Sequence, residues 1–341
     1  MSSITEFEGL DQLTRDLKAA AKTLGKAQAR FLVDFFYQIQ AYRIRSNIQT
    51  RSETDTTAPN NLFLTWSAKN FQTFENNIKS ALDTFTLEYT VGRWTQDICG
   101  IGPIITAGLL AHIDITKAPT YGHIWRFAGL DSTQSWNKGQ KRPWNAQLKT
   151  LCAFKLGESF VKVQNRENDY YGKMFARRRN LENDNNLDGR YAGQAMAQLG
   201  DEAELKKCHD IQYPIKARNF GEDTNARIWL EGRVTRKAAE DFALLDASQR
   251  IAFIKKQGDN PIDSGVRMLP PAQIHARARR YAVKLFLSHL HHVMFDDYYG
   301  RAPMIPYPFE KLRHDEKHYL PPPNWPMNSD DKGKSLKDMG T

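Results

Sequence analysis

Gly100 and Gly102, one residue apart and followed directly by Pro103, carry the sharpest chemical implication in this sequence. In WTQDICGIGPIITAGLLAHIDI (94–115), Ile98 and Ile101, then Ile104, Ala107, Leu110 and Ala111, recur at helical spacing on both sides of Gly-Ile-Gly. The pattern predicts two short helices joined by a tight turn, a helix-hairpin-helix. Glycine takes the positive backbone angles such a turn needs and leaves no side chain between the backbone and a phosphate. Proline suits the first position of the second helix, and the amides after it sit at the positive end of the helix dipole, where a phosphate oxygen is stabilised. Gly-Ile-Gly alone would read as a plain helical turn in a core; the apolar register on both sides favours the hairpin. Gly100, Ile101 and Gly102 are therefore candidate contacts to a nucleic-acid backbone.

Charge points the same way. From Lys138 to Arg179 there are eleven Lys or Arg against three acids, Glu158, Glu167 and Asp169, so this block carries +8 of the chain's net +9. The first ninety residues balance ten basic against ten acidic side chains. Charge placed this unevenly suits a polyanion and predicts salt-dependent binding. A solvated helix face is the plainer explanation, weakened by the interleaved Trp136, Trp144, Phe154, Phe160, Tyr170 and Tyr171. Lys138, Lys141 and Arg142 fall in a polar loop before a helix that Asn145 is placed to cap. Lys149 and Lys155 follow on that helix, whose Leu148, Leu151, Cys152 and Leu156 face a core. Arg277 and Arg280, on a later arginine-rich helix, are further candidate phosphate contacts.

Other chemistry is thinly supported. His289, His292 and Asp296 share a helix face at metal-ligand spacing, but a polar face with hydrogen-bonded histidines is the favoured reading. NDNNLDG (183–189) lacks the glutamate an EF-hand loop requires, and no Walker motif is present. Cys99, Cys152 and Cys208 show neither disulfide nor zinc spacing, so reduced thiols are expected.

Four stretches together resemble the C-terminal domain of a family of insertion-sequence transposases, the bridge-RNA-guided recombinase group, which pairs a RuvC-like DEDD nuclease domain with a serine-bearing domain. They are CGIGPIITAGLLAHI, IWRFAGLD (124–131), KGQKRPWNAQLKTL, and ARARRYAVKLFLSHLHHVMFDDYYGRAPMIPY (276–307), about a fifth of the chain. The resemblance implies a nucleophilic serine shortly after the Gly-Leu segment, and Ser135 is the nearest candidate, although no glycine follows it. The first ninety residues do not read as a RuvC-like domain with its spaced carboxylates, so no two-metal site is expected. Mg2+ would enter only if the protein is catalytic, and no other cofactor is expected.

These residues need elements to position them. Residues 5–50 carry an apolar stripe at helical spacing, and Leu62 to about Arg93 a second, separated by TRSETDTTAPNN. The two predict an antiparallel helical hairpin that either dimerises or covers the following domain. Residues 180–225 are rich in Asn, Asp and Gly, which predicts a long loop or lid. Residues 227–246 and 248–258 read as helical again, and 319–341 as a tail without structure.

The expected fold class is mainly α, a helical N-terminal hairpin or coiled coil followed by a helical domain containing the helix-hairpin-helix. The expected divisions are 1–93, a helical hairpin and possible dimerisation region; 94–175, the helix-hairpin-helix and basic region; 176–270, a polar insert; 271–318, the closing arginine-rich helix; and 319–341, the tail. The expected function is a non-catalytic DNA-binding protein of a mobile element or of DNA recombination, gripping duplex or branched DNA by its backbone through the helix-hairpin-helix domain. The alternatives are an active recombinase completed by another subunit, and an RNA-binding ribonucleoprotein component. Structured RNA and a homo-oligomeric partner are open. With no long apolar run and a polar start, a cytoplasmic, nucleoid-associated protein without a membrane span is expected.

Overall fold

The computed structural model describes residues 14–52, 59–200, 225–304 and 320–339. Among them every regular element is a helix, accompanied by one isolated parallel bridge between Tyr89 and Lys334, so the protein is mainly α. Two units divide the chain. Unit 1 takes the described residues up to Ile124, then Thr150–Leu156, then those from Phe286 onward; unit 2 takes Trp125–Lys149 and the described residues of Gly157–Leu285.

Unit 1 begins with α1 (Arg15–Ala20) and continues into the long helices α2 (Lys26–Ser52) and α3 (Pro59–Leu87). Ala29, Val33, Phe36 and Ile39 on α2, and Ile78, Leu82 and Phe85 on α3, are buried at three- and four-residue spacing, the stripe an amphipathic helix needs. Burying a side chain such as Leu82 or Phe85 stabilises by roughly 1.5–3 kcal/mol. Phe35 meets Phe74 at 5.5 Å and Tyr42 meets Phe71 at 6.1 Å, an order that runs the helices antiparallel, as the sequence pattern predicts. The buried Glu75 within this seam is met by Arg43 through two bonds of 2.5 and 3.2 Å.

Helix α3 stops at Leu87 rather than near Arg93. The Leu87 carbonyl accepts from Arg93 Nε at 2.6 Å and the Glu88 carbonyl accepts from Lys334 N at 2.7 Å, so the helical ladder is interrupted there. The chain restarts as α4 (Thr90–Asp97), and a Cβ on Gly92 would lie 1.9 Å from the Thr86 carbonyl oxygen, which makes glycine a condition of this corner. Helix α5 (Pro103–His112) is buried on nearly every face. Both long helices pack on it, Gly108 lies against Val33 and Leu151, and Arg30 donates to the Ala111 carbonyl at its C-terminus (2.7 Å). The α2–α3 hairpin thus covers α5. Leu151–Leu156, a single π turn following α7 (Ala146–Thr150), adds Leu151, Cys152 and Leu156 to this core.

The C-terminal segment departs from its expectation as a tail without structure. Trp94 Nε1 donates to the Pro323 carbonyl (2.8 Å), Trp325 Nε1 to Asp296 (3.0 Å) and Asn324 to Asp97 (2.6 Å). Thr90 N donates to the Lys334 carbonyl (3.0 Å), and Asp297 accepts from Leu336 N (2.7 Å). Individual hydrogen bonds to the earlier part of unit 1 hold residues 320–339, and bonds of this kind leave no hydrophobic period in the sequence.

Unit 2 contains α8 (Gly157–Val163), α9 (Tyr171–Leu187), α10 (Ala192–Leu199), α11 (Asn225–Leu230), α12 (Arg236–Phe242), α13 (Ala247–Gly258) and the first part of α14 (Pro271–Tyr299). The expected loop at 180–225 is helical over its first part, which α9 and α10 occupy; residues 201–224 lie outside the described residues. Glu182 and Asn186, one turn apart on α9, point inward and are satisfied there. Asn186 makes two bonds to the Leu269 backbone (2.8 and 2.9 Å), while Glu182 accepts from Arg178, Tyr191 and Arg277. Polar residues with internal partners produce a helix that composition alone reads as a loop. The sequence-drawn divisions therefore differ from the units, since 94–175 and 271–318 each contribute to both.

Candidate nucleic-acid interface

In unit 1 the predicted hairpin is present as a helix, a turn and a helix. Helix α4 ends at Asp97, Gly100 takes φ +92°, the conformation its lack of a side chain permits, and α5 starts at Pro103 with Gly102 as its cap. Ile98, Ile101 and Ile104 are buried beneath the turn. Ile101 differs from its expected role, because its amide donates to the Ile98 carbonyl at 3.0 Å and so closes the turn instead of facing outward. No side chain caps α5, so the first amides of that helix, on Ile104 and Ile105, have no side-chain acceptor. A Cβ on Gly102 would meet nothing within 4 Å, so packing does not require glycine there. The exposed Asp97 lies nearby in sequence, with its carboxylate engaged by Asn324.

In unit 2 the basic loop is built from the end of α6 (Tyr121–Phe127). Leu130 N donates to the Trp125 carbonyl (2.9 Å) and Asn145 N to the Phe127 carbonyl (2.9 Å), which fix the two ends of the loop. Gly129, at φ +62°, lets Trp144 and Lys149 close over its backbone, where a Cβ would come within 2.8 Å of both side chains. Asn145 caps α7 as expected, accepting from Leu148 N at 2.9 Å. Between these anchors Lys138, Lys141 and Arg142 are exposed. Arg142 lies 5.1 Å from the Trp136 ring centroid, Lys149 4.0 Å from that of Trp144, and the indoles meet at 6.5 Å and 64°. Cations and rings thus alternate along one edge of the loop.

The electrostatics of this edge are those of like charges held together. Partial burial, and after it the charges of Arg142 and Arg280, pull the Lys149 ammonium below its ordinary pKa. No carboxylate pairs with Lys138, Lys141, Arg142 or Lys149 among the described residues. Lys284 belongs to the same group: burial lowers its pKa, with Asp131 raising it and Arg280 lowering it, and its ammonium lies 3.9 Å from the Trp125 centroid. Asp131 is the acid of this neighbourhood. Burial pushes its pKa up, but the Thr133 amide and hydroxyl, with Arg126 and Lys284, hold it below the ordinary carboxylate value. The sequence reading missed Lys284, although its position four residues after Arg280 on a helix already signals a shared face.

The remaining candidates divide. Lys155, in unit 1, lies 4.2 Å from the Tyr37 ring centroid, and burial raises the Tyr37 hydroxyl to about 12. Arg277 is committed inside unit 2, donating to Glu182 at 2.8 Å and to Gln194 at 3.3 Å and lying 4.4 Å from the Tyr191 centroid, which leaves its guanidinium little capacity for a phosphate. Arg280 is exposed on α14. Ser135 is exposed in the basic loop, and no histidine, lysine or carboxylate among the described residues is bonded to its hydroxyl. On the face of His289, His292 and Asp296, His289 donates Nε2–H to the Leu320 carbonyl at 2.8 Å and Asp296 accepts from Trp325 Nε1 at 3.0 Å; His291, outside that face, donates to the Ala118 carbonyl at 2.8 Å. No cluster of three metal-ligating side chains occurs among the described residues, and none of the described helices is long and apolar enough to cross a membrane.

No protein-family model, curated protein or solved structure matches this chain.

Proposed function

We propose that this protein binds DNA, chiefly through the phosphate backbone of duplex or branched DNA, and serves a mobile element or DNA recombination. The observation that carries the reading is the unit 2 loop, where Arg142 and Lys149 lie over adjoining indoles and Lys138 and Lys141 are exposed in the same loop, none of the four with a carboxylate partner among the described residues. Self-repulsion is a cost that a binding surface for a polyanion recovers when its ligand arrives. The uncapped amides at the start of α5 would supply a second kind of phosphate contact, directional and independent of side-chain charge. Phosphate contacts position a protein without reading sequence, so modest sequence preference is expected. The link to recombination rests on the transposase resemblance of the hairpin, the Gly-Leu segment, the basic loop and the arginine-rich helix.

The test is a gel-shift and strand-cleavage assay on duplex DNA, branched DNA and structured RNA, over a range of salt and with or without Mg2+. Salt-sensitive binding to duplex or branched DNA supports the reading. Strand breakage or a covalent adduct that disappears in Ser135→Ala assigns the chain to the recombinases instead. Preference for structured RNA over both DNA forms overturns the DNA assignment.

A further inference from the structure

Phosphate binding alone does not use the exposed aromatic surface of the basic loop. Trp136 is pinned by its Nε1–H bond to the Gln140 carbonyl (2.7 Å), inside a turn closed by Gln140 N to the Asn137 carbonyl (3.1 Å). Its ring stands edge-on to Trp144 and beneath the guanidinium of Arg142. Both indoles stay partly exposed, in a loop whose other side chains from Asn137 to Pro143 are exposed throughout. A duplex stacks its base faces on one another and presents backbone and groove edges to a protein. An unpaired nucleotide, in contrast, presents a π face to an indole and a phosphate to the cations beside it. We propose that this loop binds unpaired nucleotides of a single strand, with a base stacked on Trp136 and the flanking phosphates held by Lys138, Lys141 and Arg142. Arg142 suits both parts, because a planar guanidinium stacks on a ring while its N–H groups bond phosphate. The inference rests on the reading of the chain as a nucleic-acid binder. It narrows the substrate to nucleic acid with a single-stranded stretch, as found at a gap, fork or branch.

The experiment is fluorescence anisotropy with the full chain on labelled oligo-dT, oligo-U and duplex DNA of about twelve nucleotides, within the span single-strand sites cover. Wild-type protein is expected to bind a single strand at least as tightly as duplex. Trp136→Leu is expected to lower the ratio of single-strand to duplex affinity about tenfold, the scale of one stacked base, with Trp136→Phe keeping most of it. Phenylalanine lacks the Nε1–H as leucine does, so the pair separates the ring from the bond that holds the loop. Tighter binding of oligo-dT or of oligo-U identifies the strand, and equal binding shows that base faces and phosphates alone are read. An unchanged ratio in Trp136→Leu, equal losses in both variants, or duplex binding without single-strand binding overturns this inference and leaves the duplex reading standing. Wild-type protein that binds none of the three overturns both.

Discussion

Arg142 holds its guanidinium 5.1 Å from the centroid of the Trp136 ring while the arginine remains exposed. The ring orients the guanidinium without neutralising it, so its charge stays available to a phosphate. The triple variant Lys138→Ala, Lys141→Ala, Arg142→Ala is therefore expected to weaken duplex binding uniformly across sequences. It should also flatten the dependence of log affinity on log salt by about 0.9 for each phosphate that is no longer neutralised. The fold should tolerate it, since exposed substitutions shift stability by about 0.5 kcal/mol and an exposed cation–π pair contributes about 0.5–1 kcal/mol. A salt titration of affinity beside a denaturant melt measures both; an unchanged slope removes this loop from the interface.

Gly102 and Gly129 offer a paired test of what each glycine does. A Cβ at Gly102 meets nothing within 4 Å, and the backbone there is extended at φ −111°. Gly102→Val should keep a cooperative melt and lose about 1 kcal/mol, the cost of an apolar residue at a helix cap. Its affinity for DNA should nevertheless fall roughly tenfold or more, because the side chain would stand between the α5 amides and a phosphate. Gly129→Ala meets Trp144 and Lys149 at 2.8 Å in a left-handed conformation, so it should destabilise by more than about 1 kcal/mol. Normal affinity in well-folded Gly102→Val protein would count against the hairpin as a phosphate site.

The hairpin and the α2–α3 pair were legible because both are written in local periodicity. Ile98, Ile101 and Ile104 bury where the three-residue spacing puts them, and Asn145 caps the helix it precedes. What escaped depends on partners far along the chain. Nothing near Asn186 announces that it will bond Leu269, so the Asn- and Asp-rich end of α9 reads as a loop. Trp94 and Pro323 are joined by one hydrogen bond across most of the sequence, and that bond helps turn an aperiodic terminal stretch into ordered structure. Within the candidate interface, residue type and charge were visible, but Arg277 could be told from Arg280 only by the internal position of Glu182.

Arg277→Ala should for that reason behave as a packing variant. It removes one of the two arginines on the buried Glu182 carboxylate and uncovers the Tyr191 ring, so a loss of about 2–4 kcal/mol is expected, near the range for breaking a buried ion pair. The salt slope of DNA binding by the folded fraction should not move. Arg280→Ala, at an exposed position, should instead flatten that slope and raise the Lys149 pKa only slightly, because burial and then Arg142 are the larger causes of its lowering. A chemical melt and a salt titration on both variants decide the matter, and an Arg277→Ala protein of full stability and reduced slope would return that residue to the interface.

His112 and His289 make the stability of unit 1 sensitive to acid. Burial is the main cause in both, lowering each to about 4 from the ordinary histidine value of 6.5; the Arg30 charge adds to it for His112, while the Leu320 carbonyl opposes it for His289. Because the folded values lie below the unfolded one, protons bind the unfolded chain more readily. Stability is therefore complete above about pH 6.5 and declines as pH falls toward 4, by on the order of 3 kcal/mol for each histidine if the whole shift is expressed. Asp297 opposes this, since burial raises its carboxyl and its protonation favours the folded state as pH falls. His289→Gln keeps a donor for the Leu320 carbonyl and removes the titration. The wild-type melting temperature should drop between pH 6.5 and 4.5, and the variant should lose part of that drop while matching the wild type near pH 7.5. Parallel pH curves for the two proteins would show that His289 is not kept neutral by the fold.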